Sequence, residues 1–223
     1  MIKPEELQNI PLFINLSQST RQVIARRAFW RKFSMGNDVV IEGTPAEYGY
    51  FILSGQARVL RMSQVGRLQI IGRFGIGAPL NLISLLAGDR LNRSSIEALT
   101  DLECLVVRIE DFNYLLEHCH DFSNLLLQTF AQRMAEMADL AASLSLYSVR
   151  ARLAQFLMEL AQLPETAGGW TQDEIAAHIG TVRDMVGRCL RDFEAQGLIQ
   201  RYRGRITLLN RAGLEAIAEE REK

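Results

Sequence analysis

Arg183, Asp184 and Arg188 are the side chains whose types and spacing best suit a defined piece of chemistry. An arginine can donate two hydrogen bonds to O6 and N7 of guanine, and a carboxylate can accept one from N4 of cytosine. Asp184 and Arg188 stand four apart, one helical turn, so on a helix they share a face. Residues 178–211 carry arginines at 183, 188, 191, 201, 203, 205 and 211 against Asp184, Asp192 and Glu194, a net of +4. Phosphate attraction needs such a local excess. The plainer alternative is solvated helix-surface charge, with Asp184 favoured by the helix dipole. Taken singly, each charge fits that alternative; the elements around the set decide between them.

Those elements read as two helices and a hairpin. Thr171-Gln172-Asp173-Glu174 has the form of a capping box, opening a helix over 172–179 that stops at Gly180. Thr181 then starts a second helix running to about Gln196, with Gly197 as its stop. Two helices joined by a short glycine turn form a helix-turn-helix. Leu198 to Tyr202 and Ile206 to Leu209 flank Arg203-Gly204 as a β-hairpin wing, and Asn210 can cap a last short helix.

Upstream the pattern differs. Glycines at 36, 43, 49, 55, 66, 72, 75, 77 and 88 punctuate short apolar pieces at 39–41, 50–53, 57–60, 68–71 and 105–107. That pattern predicts an all-β barrel or roll. From Asp111 the spacing turns helical. Leu127, Phe130, Met134, Met137, Ala141 and Leu144 recur at intervals of 3, 4, 3, 4 and 3, an a/d seam. Such a seam serves either a helix packed on its own domain or one paired with its twin in a homodimer. A break at 145–148 precedes another helix with Val149, Leu153, Phe156, Leu157 and Leu160 on one face, ended by 164–169.

Other chemistry is sparse. The 223 residues, 48% hydrophobic and 23% charged with net charge −1, are enough for one large domain or a large and a small one. No apolar run approaches the roughly 18 residues of a membrane span, and the N-terminus lacks a secretory pattern. Cys104, Cys119 and Cys189 are odd in number and widely spaced, which fits a reducing cytoplasm rather than a disulfide framework. His118-Cys119-His120 offers metal ligands, but on a helix the two histidines lie about 200° apart and do not converge. No metal site is expected. His178 is read as a packing or phosphate-facing residue. No Ser/His/Asp set, phosphate loop or His-Glu metal motif is present, so an enzyme is not expected.

In this order, the residues resemble the Crp/Fnr superfamily of transcription regulators over nearly the whole chain. Pro11-Leu12-Phe13 with Leu16-Ser17 resembles its opening segment, and Gly36, Gly43, Tyr50 and Gly55 match the spacing of its cyclic-nucleotide-binding β-roll. Residues 148–154 resemble the segment after its dimer helix. The strongest likeness runs from Thr171 through Gly180-Thr181-Val182-Arg183-Asp184 to Arg188, closing on Glu194 to Ile199.

The resemblance implies an α+β chain: a β-roll sensor domain over 1–110, a dimerisation helix region over 111–147 and a winged helix-turn-helix DNA-binding domain over 148–223. It implies a homodimer on a two-fold-related double-stranded DNA site, with Arg183, Asp184 and Arg188 reading bases. Thr171, Gln172, Thr181 and Arg191 would hold phosphates, and RNA polymerase is a candidate partner. The family usually has Glu where Asp184 stands, and the shorter side chain puts the half-site sequence in doubt, although Arg183 and Arg188 favour a TGTGA-like one. Gly77, Asn81, Arg93, Ser94 and Ser95 fall where the family holds its effector. Gly77 to Asn81 contains no Glu, so the carboxylate that would accept from a ribose hydroxyl is missing. That argues against cyclic AMP, because a polar site loses heavily without one partner. Arg93 is left either to bind another anion or to pair with Asp89. No cysteine precedes Cys104, which argues against the family's iron–sulfur cluster. The effector stays unknown. A ligand-responsive regulator is the leading expectation. A constitutive DNA binder with a vestigial pocket is second, and a sensor domain acting on a protein partner is third.

Overall fold

The computed structural model describes residues 2–62, 68–162, 170–202 and 205–219. The chain forms two compact units, Met1–Gln132 and Arg133–Lys223. No helix among the described residues is long and apolar enough to cross a membrane.

The first unit opens with two short 3-10 turns and helix α1 (Gln18–Arg27). Ser17 caps α1, its Oγ accepting from the Thr20 amide at 3.2 Å. Strands β1 (Ala28–Phe33), β2 (Asp38–Val40), β3 (Tyr48–Ser54), β4 (Ala57–Met62), β5 (Leu68–Phe74) and β6 (Pro79–Leu80) follow. After a short helix α2 (Leu82–Leu86) come β7 (Ser95–Ala98) and β8 (Leu102–Arg108), then α3 (Ile109–His118) and α4 (His120–Leu146), whose residues from Arg133 onward belong to the second unit. The strands make two four-stranded sheets, ordered β1-β8-β3-β6 and β2-β7-β4-β5. This is the expected roll. Gly55 turns the chain from β3 into β4 at φ +86°, and a Cβ there would lie 2.2 Å from the Asp101 carbonyl oxygen.

Alternation along β3 and β8 divides the core. Tyr50, Ile52, Cys104 and Val106 belong to the cluster with Phe33, Val40, Ile96 and Leu102. Their neighbours Phe51, Leu105 and Val107 belong instead to the cluster with Phe13, Ile24, Phe112, Phe122 and Leu126. Strands buried on both faces read as continuous apolar runs, which is why 50–53 and 105–107 stood out. Phe13 lies 4.8 Å from Phe51 and Phe112 lies 5.9 Å from Phe122, ring centre to ring centre.

The second unit contains α5 (Val149–Leu160), α6 (Gln172–His178), α7 (Arg183–Ala195), β9 (Ile199–Tyr202), β10 (Arg205–Leu208) and α8 (Arg211–Ala218). Leu153, Phe156, Leu157, Ile175, Val186, Leu190, Phe193, Leu214 and Ile217 form its core. Ser148 caps α5, and Asn210 caps α8 with its Oδ1 accepting from the Gly213 amide at 2.9 Å. The expected stop at 164–169 and the wing tip at 203–204 lie outside the described residues.

Three local expectations shift. Helix begins at Ile109, two residues before Asp111. Helix α2 lies within the segment where the glycine pattern predicted strands alone, and α1 precedes that segment. The second helix of the turn motif starts at Arg183, because Val182 is still extended and the Thr181 amide belongs to the preceding turn. It donates to the Ala176 carbonyl at 2.8 Å and closes α6 across Gly180 at φ +66°, leaving Val182 as the N-cap.

Candidate functional site

Thr171 and Glu174 form the expected reciprocal cap. The Thr171 Oγ1 accepts from the Glu174 amide at 3.3 Å, and Glu174 Oε2 accepts from the Thr171 amide at 2.8 Å. This fixes the start of α6 and keeps Gln172 and Asp173 in its first turn. α6 and α7 approach closely at Gly187, where an added Cβ would lie 3.1 Å from Gln172 Oε1 and 3.6 Å from Arg191 Nη1. Gln172 and Arg191, two of the expected phosphate holders, therefore flank one point of contact. Thr171 is exposed and Thr181 half-buried.

α7 is strongly two-faced. Val186, Leu190 and Phe193 are buried, while Arg183, Asp184, Arg188 and Arg191 are exposed. The helix therefore presents all three expected base readers to solvent. Arg183 Nε lies 3.8 Å from Asp173 Oδ2, a pair exposed on both sides. Such a pair is worth at most about 1 kcal/mol and leaves Arg183 available to a ligand.

Not every arginine of the basic segment is equally free. Arg201 Nη2 donates to Glu194 Oε2 at 2.6 Å, and the Arg201 amide donates to Glu194 Oε1 at 3.0 Å, which fastens β9 to the end of α7. Arg211 Nε donates to Glu215 Oε1 at 2.9 Å. Arg150 ion-pairs with Asp192 and places its guanidinium 5.2 Å from the Phe193 ring centre, tying α5 to α7. Among the described residues, positive charge on the segment thus concentrates at Arg183, Arg188, Arg191 and Arg205.

His178 packs against two aromatic rings. Its ring packs 5.0 Å from Phe156 and 5.5 Å from Trp170 while the residue keeps an edge in solvent. Burial of the packed face lowers its pKa, against a smaller opposing pull from Glu159.

Along α4 the seam is largely uncovered. Leu127, Met134 and Met137 are 67%, 71% and 69% exposed, and Ala141 is exposed too. Two members differ: Phe130 packs partly on the first unit's core, and Leu144 lies against the Gly180 turn.

The expected effector residues do not gather around one cavity. A cleft of about 240 Å3 in the first unit is lined by Arg31, Asp38, Tyr48, Tyr50, Asn81 and Asn92, among others. Asn81, in the left-handed region at φ +63°, donates from Nδ2 to the Tyr48 carbonyl at 2.9 Å and to Asn92 Oδ1 at 2.8 Å. Asn92 in turn donates to Thr44 Oγ1 at 2.9 Å. Arg93 points elsewhere: its Nη2 donates to Asp89 Oδ2 at 3.1 Å, the ion-pair alternative of the two readings. Ser95 Oγ accepts from the Glu42 amide at 3.0 Å, Ser94 is half-buried, and Gly77 lies under Pro11. Tyr48, Tyr50 and Asn92 carry no sequence signal as cavity residues; strand pairing places the two tyrosines there, and hydrogen bonds to Thr44 and Asn81 place Asn92.

No group of three or more His, Cys, Asp or Glu side chains converges among the described residues. His118 stacks on Tyr114 at 4.1 Å instead. Burial pushes the Cys104 thiol up to about 12 and raises that of Cys189, so neither is a ready nucleophile.

Residues 30–119 match the family described as cyclic nucleotide-binding domain, and residues 151–217 match the Crp-like helix-turn-helix domain. The CRP-like cAMP-activated global transcriptional regulator of Mycobacterium tuberculosis is 28% identical over 187 residues, covering 80% of this chain and 82% of that protein. The global nitrogen regulator of Synechococcus elongatus is 26% identical, covering 82% of this chain and 86% of its own. Among solved structures, the c-di-GMP responsive global regulator CLP of Xanthomonas campestris superposes with a TM-score of 0.75 at 20% identity. It covers 86% of this chain and 99% of that one, a likeness of fold. A CRP/FNR family transcriptional regulator from Thermus thermophilus gives 0.67 at 25% identity, covering 87% of this chain and all of that one.

Proposed function

The chain belongs to the Crp/Fnr superfamily of DNA-binding transcription regulators, and on that premise we propose how this member works. A homodimer, joined along the α4 seam, sets two α7 helices into successive major-groove turns of a two-fold-related site. Arg183, Asp184 and Arg188 read base edges, while Thr171, Gln172, Thr181 and Arg191 hold the backbone. The carrying observation is the solvent-facing row Arg183, Asp184 and Arg188 on a helix whose other face is buried. Contact with RNA polymerase belongs to the same reading, and the protein acts as a regulator rather than an enzyme.

The roll takes an effector other than cyclic AMP. Gly77 to Asn81 supplies no carboxylate, and Asn81 is taken up by Tyr48 and Asn92, while Arg93 is drawn to Asp89 in an exposed pair. Those commitments also favour a second reading, in which the pocket is vestigial and DNA binding is constitutive. Footprinting with purified, ligand-free protein separates the two: full protection without effector supports the second.

The DNA reading is tested by fluorescence anisotropy on a selected two-fold site and on random duplex. Arg183→Ala is expected to cost about 1–3 kcal/mol at the cognate base and to relax specificity there. An equal loss on both duplexes would assign Arg183 to a phosphate instead.

A further inference from the structure

The first unit contains a second cleft, of about 540 Å3, whose lining includes Arg26, Arg27, Phe29, Arg108, Asp111 and Tyr114. None of these residues takes part in the DNA interface or the effector set. Arg26 and Arg27 end α1, Arg108 ends β8, and Asp111 and Tyr114 belong to α3. One guanidinium is held firmly. Arg27 Nη1 donates to Asp111 Oδ1 at 2.7 Å, and its Cζ sits 3.6 Å from the Tyr114 ring centre. Tyr114 stacks in turn on His118 with ring centres 4.1 Å apart. The Asp111 hydrogen bond outweighs burial and raises the Arg27 pKa, so this cation is fixed in place and in charge.

Asp111 is thereby spent on Arg27. Arg26 and Arg108 are exposed, and no carboxylate pairs with either among the described residues. Like charges around one concavity repel, and an anion between them relieves that repulsion. The helix dipole accounts for basic residues in the last turn of α1. It does not account for Arg108, which reaches the same cleft from the end of a strand.

We infer that this cleft binds a compact polyanion carrying two or more phosphoryl groups, gripped by Arg26 and Arg108 with Arg27 as the fixed wall. A guanidinium matches phosphoryl oxygens through paired hydrogen bonds, and two unpaired ones suit a ligand whose charges are linked. The cleft is several times larger than one orthophosphate requires.

Pyrophosphate is the probe, titrated into the full chain at constant ionic strength and followed by calorimetry and melting temperature. Saturable binding about tenfold tighter than orthophosphate or sulfate is expected. The double variant Arg26→Gln/Arg108→Gln should lose at least about tenfold in affinity while melting like the parent without ligand, since both side chains are exposed. Arg183→Ala/Arg188→Ala should keep full affinity. The inference falls if pyrophosphate performs no better than sulfate, or if the Arg26/Arg108 variant binds unchanged. It also falls if the Arg183/Arg188 variant loses binding, which would put the anion on α7.

Discussion

His178 shows how one side chain couples packing to pH. Its ring completes an aromatic group with Phe156 and Trp170, and burial holds its pKa below the usual 6.5. The unfolded chain therefore takes up the proton first as pH falls. Stability from this group is complete above pH 6.5 and declines as pH drops through 6.5 toward the folded value. Thermal melts at about pH 7.5 and about pH 5.5 check this: the parent should lose more on acidification than His178→Gln. Equal losses would show that His178 does not govern the acid response. The same scale explains why the sequence left Arg93 open. An arginine four residues after an aspartate fits an ion pair or an anion site equally well until the backbone fixes which way it points.

Among the elements, the helices of the helix-turn-helix were legible to within about two residues at each end, because their start and stop signals are local. Thr171 and Glu174 satisfy each other across one turn, Gly180 takes the left-handed conformation, and Asn210 caps α8. Thr171→Ala should lower the unfolding free energy of the second unit by about 0.5–2 kcal/mol, read from urea melts. Gly180 and Gly197 offer a sharper comparison. Both have positive φ, +66° and +68°, but a Cβ at Gly180 would lie 2.5 Å from Leu144 Cδ2, whereas nothing lies within 4 Å at Gly197. Gly197→Ala should show only the conformational cost of roughly 1–2 kcal/mol. Gly180→Ala should exceed it, and the excess should shrink in a Leu144→Ala background. If the two glycine variants cost the same, the Leu144 contact is not significant.

For the whole molecule, the charge and the seam matter most. Net charge is only −1, so attraction for a duplex must come from the local excess on α7 and the wing rather than from the chain at large. The α4 seam exposes Leu and Met side chains along a helix that has no cover of its own at Met134 and Met137. Uncovered apolar rows of this kind fit a partner surface. Met137→Lys should place a charge in that seam and convert the dimer to monomer in sedimentation velocity, with a matching loss of affinity for the two-fold site. A dimer unchanged by the substitution would remove α4 from the interface.

By itself, the sequence determined what depends on neighbours a few residues away. The capping box, the glycine stop, the amphipathic face of α7 and the 3-4 spacing of α4 follow from helical geometry alone. The β-roll was legible as a class, because glycine punctuation and continuous apolar runs mark short buried strands. Only the tertiary structure decided the order β1-β8-β3-β6, the presence of α2 beside Gly49, and the gathering of Tyr48, Asn81 and Asn92 around one cleft. The same holds for Arg108, which lies about 80 residues from Arg26 and Arg27 in the chain and lines one cleft with them. These features rest on pairings between distant segments, whose partners no local periodicity specifies.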